Sequence, residues 1–229
     1  MFLETSPAMN PTGHTYGGFD KAYDFFNERL FGNELPRCLI TLQRHKGALG
    51  FFAPERFGTL DGENVVHEIA LNPTTFARRT VKQILSTLAH EMAHLWQQNF
   101  GSPSRNGYHN KEWGTKMKAI GLYPSNTGAP GGKETGQQMT HYIVEGGSFD
   151  LAFAELEAQG IGALFADLWE ESEETKKKRA KKAASKAAFV CPDCSAKAWA
   201  KASASLICGD CEVSMECTAM GGDDEGTED

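Results

Sequence analysis

In the stretch LAHEMAHLWQQNF, His90 and His94 stand four residues apart and Glu91 directly follows the first. On a helix turning about 100° per residue the two histidines lie about 40° apart, and Leu85, Leu88, Met92, Leu95 and Trp96 fall on the opposite side. An apolar stripe would then fix the helix while two imidazoles, one turn apart, converge on a point outside it. Zinc accepts neutral imidazole nitrogens at about 2.0–2.1 Å, and a catalytic zinc takes three protein ligands plus water. Glu91 could take a proton from that water. The competing reading makes His90 and His94 solvated residues on the exposed face of an ordinary helix. A third ligand separates the two. Gln97 and Phe100 stand where a metzincin needs Gly and His, which excludes that subclass. His109, fifteen residues after His94 and beyond a Gly/Ser/Pro-containing loop, is the expected third ligand. Glu112 is its competitor, because a carboxylate can replace the third histidine.

A second set of metal-type residues lies near the C-terminus. CPDC at 191–194 and CGDC at 208–211 are separated by thirteen residues. Two such knuckles present Cys191, Cys194, Cys208 and Cys211 as four thiolates at about 2.3 Å from a zinc ion, a closed shell without a position for water. This site is expected to be structural, holding together a segment too short for an adequate core of its own. A redox dithiol is the alternative. Cys38 and Cys217 are left over.

These residues need elements to position them. DKAYDFFNERL, residues 20–30, carries Tyr23, Phe25, Phe26 and Leu30 at helical spacing and ends at FGNELP. CLITLQRH, ALGFFAP and NVVHEIALNP predict three short strands of one small sheet. Residues 76–99 form the longest helical pattern, with Thr74 or Thr75 as its N-cap. Gly101–Gly147 predicts a long, partly irregular connection with a short helix over 111–120 and a β segment at HYIV. FDLAFAELEAQGIGALFADLWEE predicts one or two helices broken near Gly160 and Gly162, and WAKASASLI suits a hairpin between the cysteine pairs.

The chain has 229 residues and a net charge of −7, unevenly placed: −3 over residues 1–169, +3 over 170–188, −1 over 189–215 and −6 over the last fourteen. The acidity belongs to a tail with the composition of a disordered end, and EESEETKKKRAKKAASKAA reads as a charged linker. No apolar run is long enough to span a bilayer, and the N-terminus lacks a basic start followed by an apolar stretch. A cytoplasmic protein without a membrane partner is the expectation, its oligomeric state unspecified.

HEMAH, the loop, GYHNKEW and the C-terminal Cys-x-x-Cys pairs together resemble the SprT-like metalloprotease family, which includes the Spartan DNA–protein crosslink proteases. NERLFGNELPRCLITLQRHKGALGFF and VVHEIALNP are similar to the family's segments upstream of its active-site helix. The resemblance covers most of residues 17–124 and again 189–213. It implies an α+β fold: a compact zincin-like metalloprotease core with a small sheet and an exposed active-site helix, plus a C-terminal zinc ribbon. The expected division is 1–169 metalloprotease domain, 170–188 linker, 189–215 ribbon and 216–229 acidic tail. His90, His94 and His109 would bind the catalytic zinc and Glu91 would be the general base, with a second, structural zinc on the cysteines. Protein substrates follow, with DNA as a candidate partner through the basic run KKKRAKK and the ribbon. The ribbon's own charge is poor for phosphate contact, and the run reads first as a solvated linker face. A non-catalytic zinc-binding module that recruits nucleic acid or a partner is the alternative function.

Residues 125–169 lie outside the resemblance. His141 and Tyr142 could approach the site and stabilise an oxyanion, although a surface loop with a β segment is the plainer expectation. His67 reads as a sheet-face residue, and His14 and His45 as loop residues. Trp96 and Trp113 read as core rings that could wall off the site.

Overall fold

A computed structural model describes residues 10–105, 107–161, 164–168, 177 and 186–218. They fall into two compact units, dividing after Leu168: the first mixes helices and strands, and the described elements of the second are strands alone.

The first unit begins with α1, Pro11–Phe31, opened by the Asn10 side chain accepting from the Gly13 amide and closed by Gly32 in the left-handed region. His14 is therefore helical rather than in a loop. Phe19, Tyr23 and Phe26 lie on its buried face, with Phe25 and Leu30 partly buried at its border. Three strands follow: β1 (Leu39–Leu42), β2 (Gly50–Gly58) and β3 (Val65–Leu71). They form a sheet in the order β1-β3-β2, with β1 parallel and β2 antiparallel to β3. β2 is thus an edge strand. His67 accepts from the Glu55 amide and meets the Phe52 ring, a sheet residue as expected.

The long helical pattern divides in two. Asn72 caps a 3-10 turn, Pro73–Arg78, and the chain extends through Arg79 before α2, Val81–Phe100. The N-cap is Thr80, not Thr74 or Thr75: its hydroxyl accepts from the Gln83 amide while the Gln83 side chain accepts from the Thr80 amide. This reciprocal capping box satisfies two otherwise orphaned donors and fixes where the helix starts. Leu85, Leu88, Met92 and Leu95 are fully buried against α1, β3 and the helices that follow, as the stripe predicts.

α3 (Lys111–Ala119), β4 (Leu122–Ser125), β5 (Thr140–Ile143) and α4 (Ser148–Ala158) complete the unit. β4 and β5 pair antiparallel, which sets Pro124 opposite His141 and Tyr123 opposite Tyr142. Of the expected second half of the last helical stretch, residues 164–168 have no regular structure, and 162, 163 and 169–176 lie outside the described residues.

The second unit is a three-stranded antiparallel sheet, β7-β6-β8, made of β6 (Lys186–Val190), β7 (Lys197–Lys201) and β8 (Glu216–Thr218). The hairpin therefore spans the first cysteine pair rather than the segment between the pairs. The sheet reaches into the stretch read as linker at one end and the stretch read as tail at the other. The basic run KKKRAKK, Lys177 apart, and residues 219–229 lie outside the described residues. Among the described residues no helix is long and apolar enough to cross a membrane.

Candidate metal centres

α2 carries His90 and His94 on one side, and the loop after it returns His109 to meet them. Their ring centroids lie 5.3 Å (His90–His94), 4.7 Å (His94–His109) and 5.4 Å (His90–His109) apart. One nitrogen from each of the three rings comes within 4.8 Å of the others. Trp113 underlies all three: it stacks on His94 at 5.3 Å and meets His90 and His109 edge-on at 4.9 and 4.4 Å. Trp96 lies elsewhere, under Lys116.

Two of the three rings are oriented by hydrogen bonds at Nδ1. His109 Nδ1 lies 3.2 Å from the Gly136 carbonyl oxygen, and His90 Nδ1 lies 3.1 Å from His141 Nδ1. Their Nε2 atoms are the nitrogens left for a metal. Burial drives the His90 and His109 pKa values down and takes that of His94 to about 3, so the rings are neutral, the state in which imidazole ligates. The donor set fits a zinc ion.

Glu91 lines the same cleft and is 5% exposed. Burial raises its carboxyl to about 8, an effect that a divalent cation beside the histidines would oppose. Its neighbour is the first residue of β2: a Cβ on Gly50 would sit 2.8 Å from the Ala70 carbonyl oxygen and 3.3 Å from Glu91 Oε1. Only glycine lets the edge strand pass this close to α2.

Glu112, the competing third ligand, points into another network. Its Oε2 accepts from Gln97 Nε2 at 2.7 Å and from the Ser102 amide at 2.7 Å. Gln97 also donates to Asn110 Oδ1 at 2.8 Å, and Asn110 caps α3 through the Trp113 amide at 3.0 Å. Glu112 thus fastens the His109 loop to α2 and does not join the histidines.

The histidine face of α2, expected to be exposed, is covered. His90 is 7% and His109 9% exposed, because β2, the loop around Tyr108 and the segment 137–141 cover the histidine face. What remains open is a cleft of about 880 Å³, which the Gly50–Pro54 stretch and Gln137–His141 line together with the histidines and Glu91. His141 does approach the site, but His90 and Ser86 engage both its ring nitrogens. It is no free donor for an oxyanion. Tyr142 stacks on Tyr123 at 5.2 Å. The sequence reading missed Ser86, Gln97 and Gly136 as partners of this centre, and none sits in a recognisable spacing.

In the second unit, Cys191, Cys194, Cys208 and Cys211 also bring their sulfurs within 4.8 Å of one another. The Cys194–Cys208 sulfur separation is 3.6 Å, against about 3.8 Å for two thiolates tetrahedral at zinc. The two knuckles repeat one geometry. Ser195 donates its amide to the Cys191 carbonyl and Glu212 to that of Cys208, and both sit in the left-handed region at φ 61° and 56°. Backbone donation from Cys194 lowers the Cys191 thiol to about 7, toward the thiolate. Cys38 is set apart, a partly buried thiol pushed up to about 12 by desolvation.

A mixed α+β fold with a largely buried histidine triad, an adjacent glutamate and a four-cysteine cluster defines a protein with two zinc-compatible centres. The sequence profile of the SprT-like family matches residues 19–132, from within α1 to the loop after β4. The chain is 52% identical over 59 residues to an uncharacterized protein in the mucB 3' region of Salmonella typhimurium, an alignment spanning 26% of this chain and 80% of that protein. The chain belongs to the SprT-like family. No solved structure matches it significantly.

Proposed function

We propose that the chain is a zinc-dependent endopeptidase with a zincin-like core, hydrolysing peptide bonds in protein substrates, DNA-bound or DNA-crosslinked proteins among them. The observation that carries this reading is the convergence of three neutral histidines, His90 and His109 buried and His94 partly so, in one cleft with Glu91, a residue that a purely structural metal site does not need. Family membership supports a metalloprotease-type function. The cleft wall is an edge strand, and an edge strand offers unpaired backbone groups to an extended peptide, which would bring its carbonyl past Glu91.

His90, His94 and His109 would hold zinc. Bound there, zinc supplies Lewis acidity that makes water more acidic near neutral pH and polarises a carbonyl. Glu91 accepts the proton of the attacking water at its carboxylate and delivers it to the leaving amine. Trp113 closes the inner side of the histidines to solvent, which strengthens the interactions of charges developing in the cleft. The four cysteines would hold a structural zinc that maintains the ribbon.

The test is cleavage of an unfolded protein substrate by the full chain, before and after chelation. Activity lost on chelation and restored by zinc supports the reading; cleavage indifferent to chelation contradicts it.

A second reading, a non-catalytic module that recruits nucleic acid, draws on one face of β7. Lys197, Trp199 and Lys201 alternate along the strand, and Trp199 is 63% exposed. Basic residues flanking an exposed ring can bind phosphate and stack a base. Cleavage of a DNA-binding protein with and without single- and double-stranded DNA separates the readings: the enzyme turns substrate over, whereas the module only binds DNA.

A further inference from the structure

Ser86, His90 and His141 form a chain whose protons can be placed one after another. Ser86 lies one turn before His90 on α2 and is 3% exposed; its hydroxyl donates to the Gln83 carbonyl at 2.9 Å. A hydroxyl has one hydrogen, so the 2.9 Å contact between Ser86 Oγ and His141 Nε2 places the other proton on His141 Nε2. A neutral His141 then presents a lone pair at Nδ1. Across the 3.1 Å contact His90 Nδ1 must be the donor, which leaves the lone pair of His90 on Nε2. Each assignment follows from the one before it, starting from a serine that touches no metal ligand atom.

We propose that His141 is a positioning residue, which accepts the Nδ1–H of His90 and holds that ring with Nε2 presented to the three-histidine focus. The inference rests on the zinc reading above and adds a residue to it. Ligating histidines ordinarily donate their second N–H to a carboxylate, a backbone carbonyl or water, and the partner sets tautomer and ring orientation. Here a second histidine is the partner, itself oriented by Ser86. The antiparallel pairing of His141 with Pro124 fixes its place on β5. The same segment supplies the Gly136 carbonyl to His109 Nδ1, reinforced by a reciprocal pair of backbone hydrogen bonds between His109 and Gly136. Residues 136–141 thus orient two of the three rings. They lie beyond the stretch that the family profile matches.

The test measures metal retention by the full chain against graded chelator, with cobalt substitution to report the two centres separately. Thiolate-to-cobalt absorption marks the cysteine site, and the weaker visible bands mark the histidine site. His141→Leu should lose metal from the histidine site at about 10- to 100-fold weaker chelation, as loss of a second-layer partner typically does, with thiolate absorption unchanged. His141→Asn, whose Oδ1 can accept from His90 Nδ1, should stay within about threefold of the parent because it restores the hydrogen bond. Ser86→Ala should fall between them. Parent-like retention in His141→Leu overturns the proposal. Equal loss in His141→Leu and His141→Asn also overturns it, since packing and not the acceptor would then matter. A parent chain with cobalt only on thiolates would overturn the zinc reading itself, an outcome visible before any variant is compared.

Discussion

Replacing Asn110 by alanine probes how the third histidine is held. Asn110 Oδ1 accepts the Trp113 amide at 3.0 Å as the N-cap of α3 and also accepts from Gln97 at 2.8 Å. Its amide donates to the Ser102 carbonyl at 3.1 Å and to Ser104 Oγ at 3.0 Å. Loss of an asparagine cap costs about 1 kcal/mol. Gln97 keeps Glu112 as an acceptor, so that bond costs little. Ser102 is exposed and its carbonyl can turn to water, which leaves about 1 kcal/mol for the two donated bonds together. The sum is about 2 kcal/mol, or a fall of about 4–8 °C in Tm for a chain of this size. Thermal melting of the metal-free protein by circular dichroism reads it. Asn110→Ser, which keeps a capping oxygen but not the donated bonds, should recover about half of the loss. An alanine variant melting within about 1 °C of the parent would refute the idea that this network holds the loop.

Two further outcomes follow from the same wall of the cleft and the same loop. Gly50→Ala places a methyl against the Ala70 carbonyl oxygen and beside Glu91, so it should cost about 1–3 kcal/mol in chemical denaturation and lower cleavage; parent-like behaviour in both would mean that β2 shifts freely. Glu112 has its carboxyl held below the ordinary value of 4.5 by the Gln97 side chain and then by the Ser102 amide. A depressed folded pKa stabilises above the unfolded value, so the advantage of the parent over Glu112→Gln should be complete above about pH 5 and fade as the pH falls through the lowered value. A difference constant from pH 7 to 3 in denaturation midpoints would contradict it.

The parts of this protein legible in its sequence are those set by local rules. The stripe Leu85, Leu88, Met92, Leu95 reported the buried side of α2 because helical periodicity is local. The cysteine pairs likewise carried their knuckle geometry within four residues each. The start of α2 was also written locally, in the Thr80–Gln83 box, but Asn72-Pro73 offers an equally good start, and that start belongs to the 3-10 turn. β8 was hidden because Glu216, Cys217 and Thr218 adjoin an acidic end, and only pairing with β6 gives them a strand's hydrogen bonds. The burial of the histidine face was not legible at all. It depends on Gly- and Gln-containing segments without periodicity, and His141 lies 51 residues from its partner His90, a separation no motif encodes.

The most direct measurement of the central claim is a comparison of the parent with Glu91→Gln, counting zinc per chain and following cleavage of the same protein substrate. Glutamine keeps the shape of Glu91 but cannot accept the proton, and none of the ligands changes. The account predicts about two zinc per chain in both proteins and cleavage lost in the variant alone. A variant that retains its zinc and cuts as fast as the parent would contradict it.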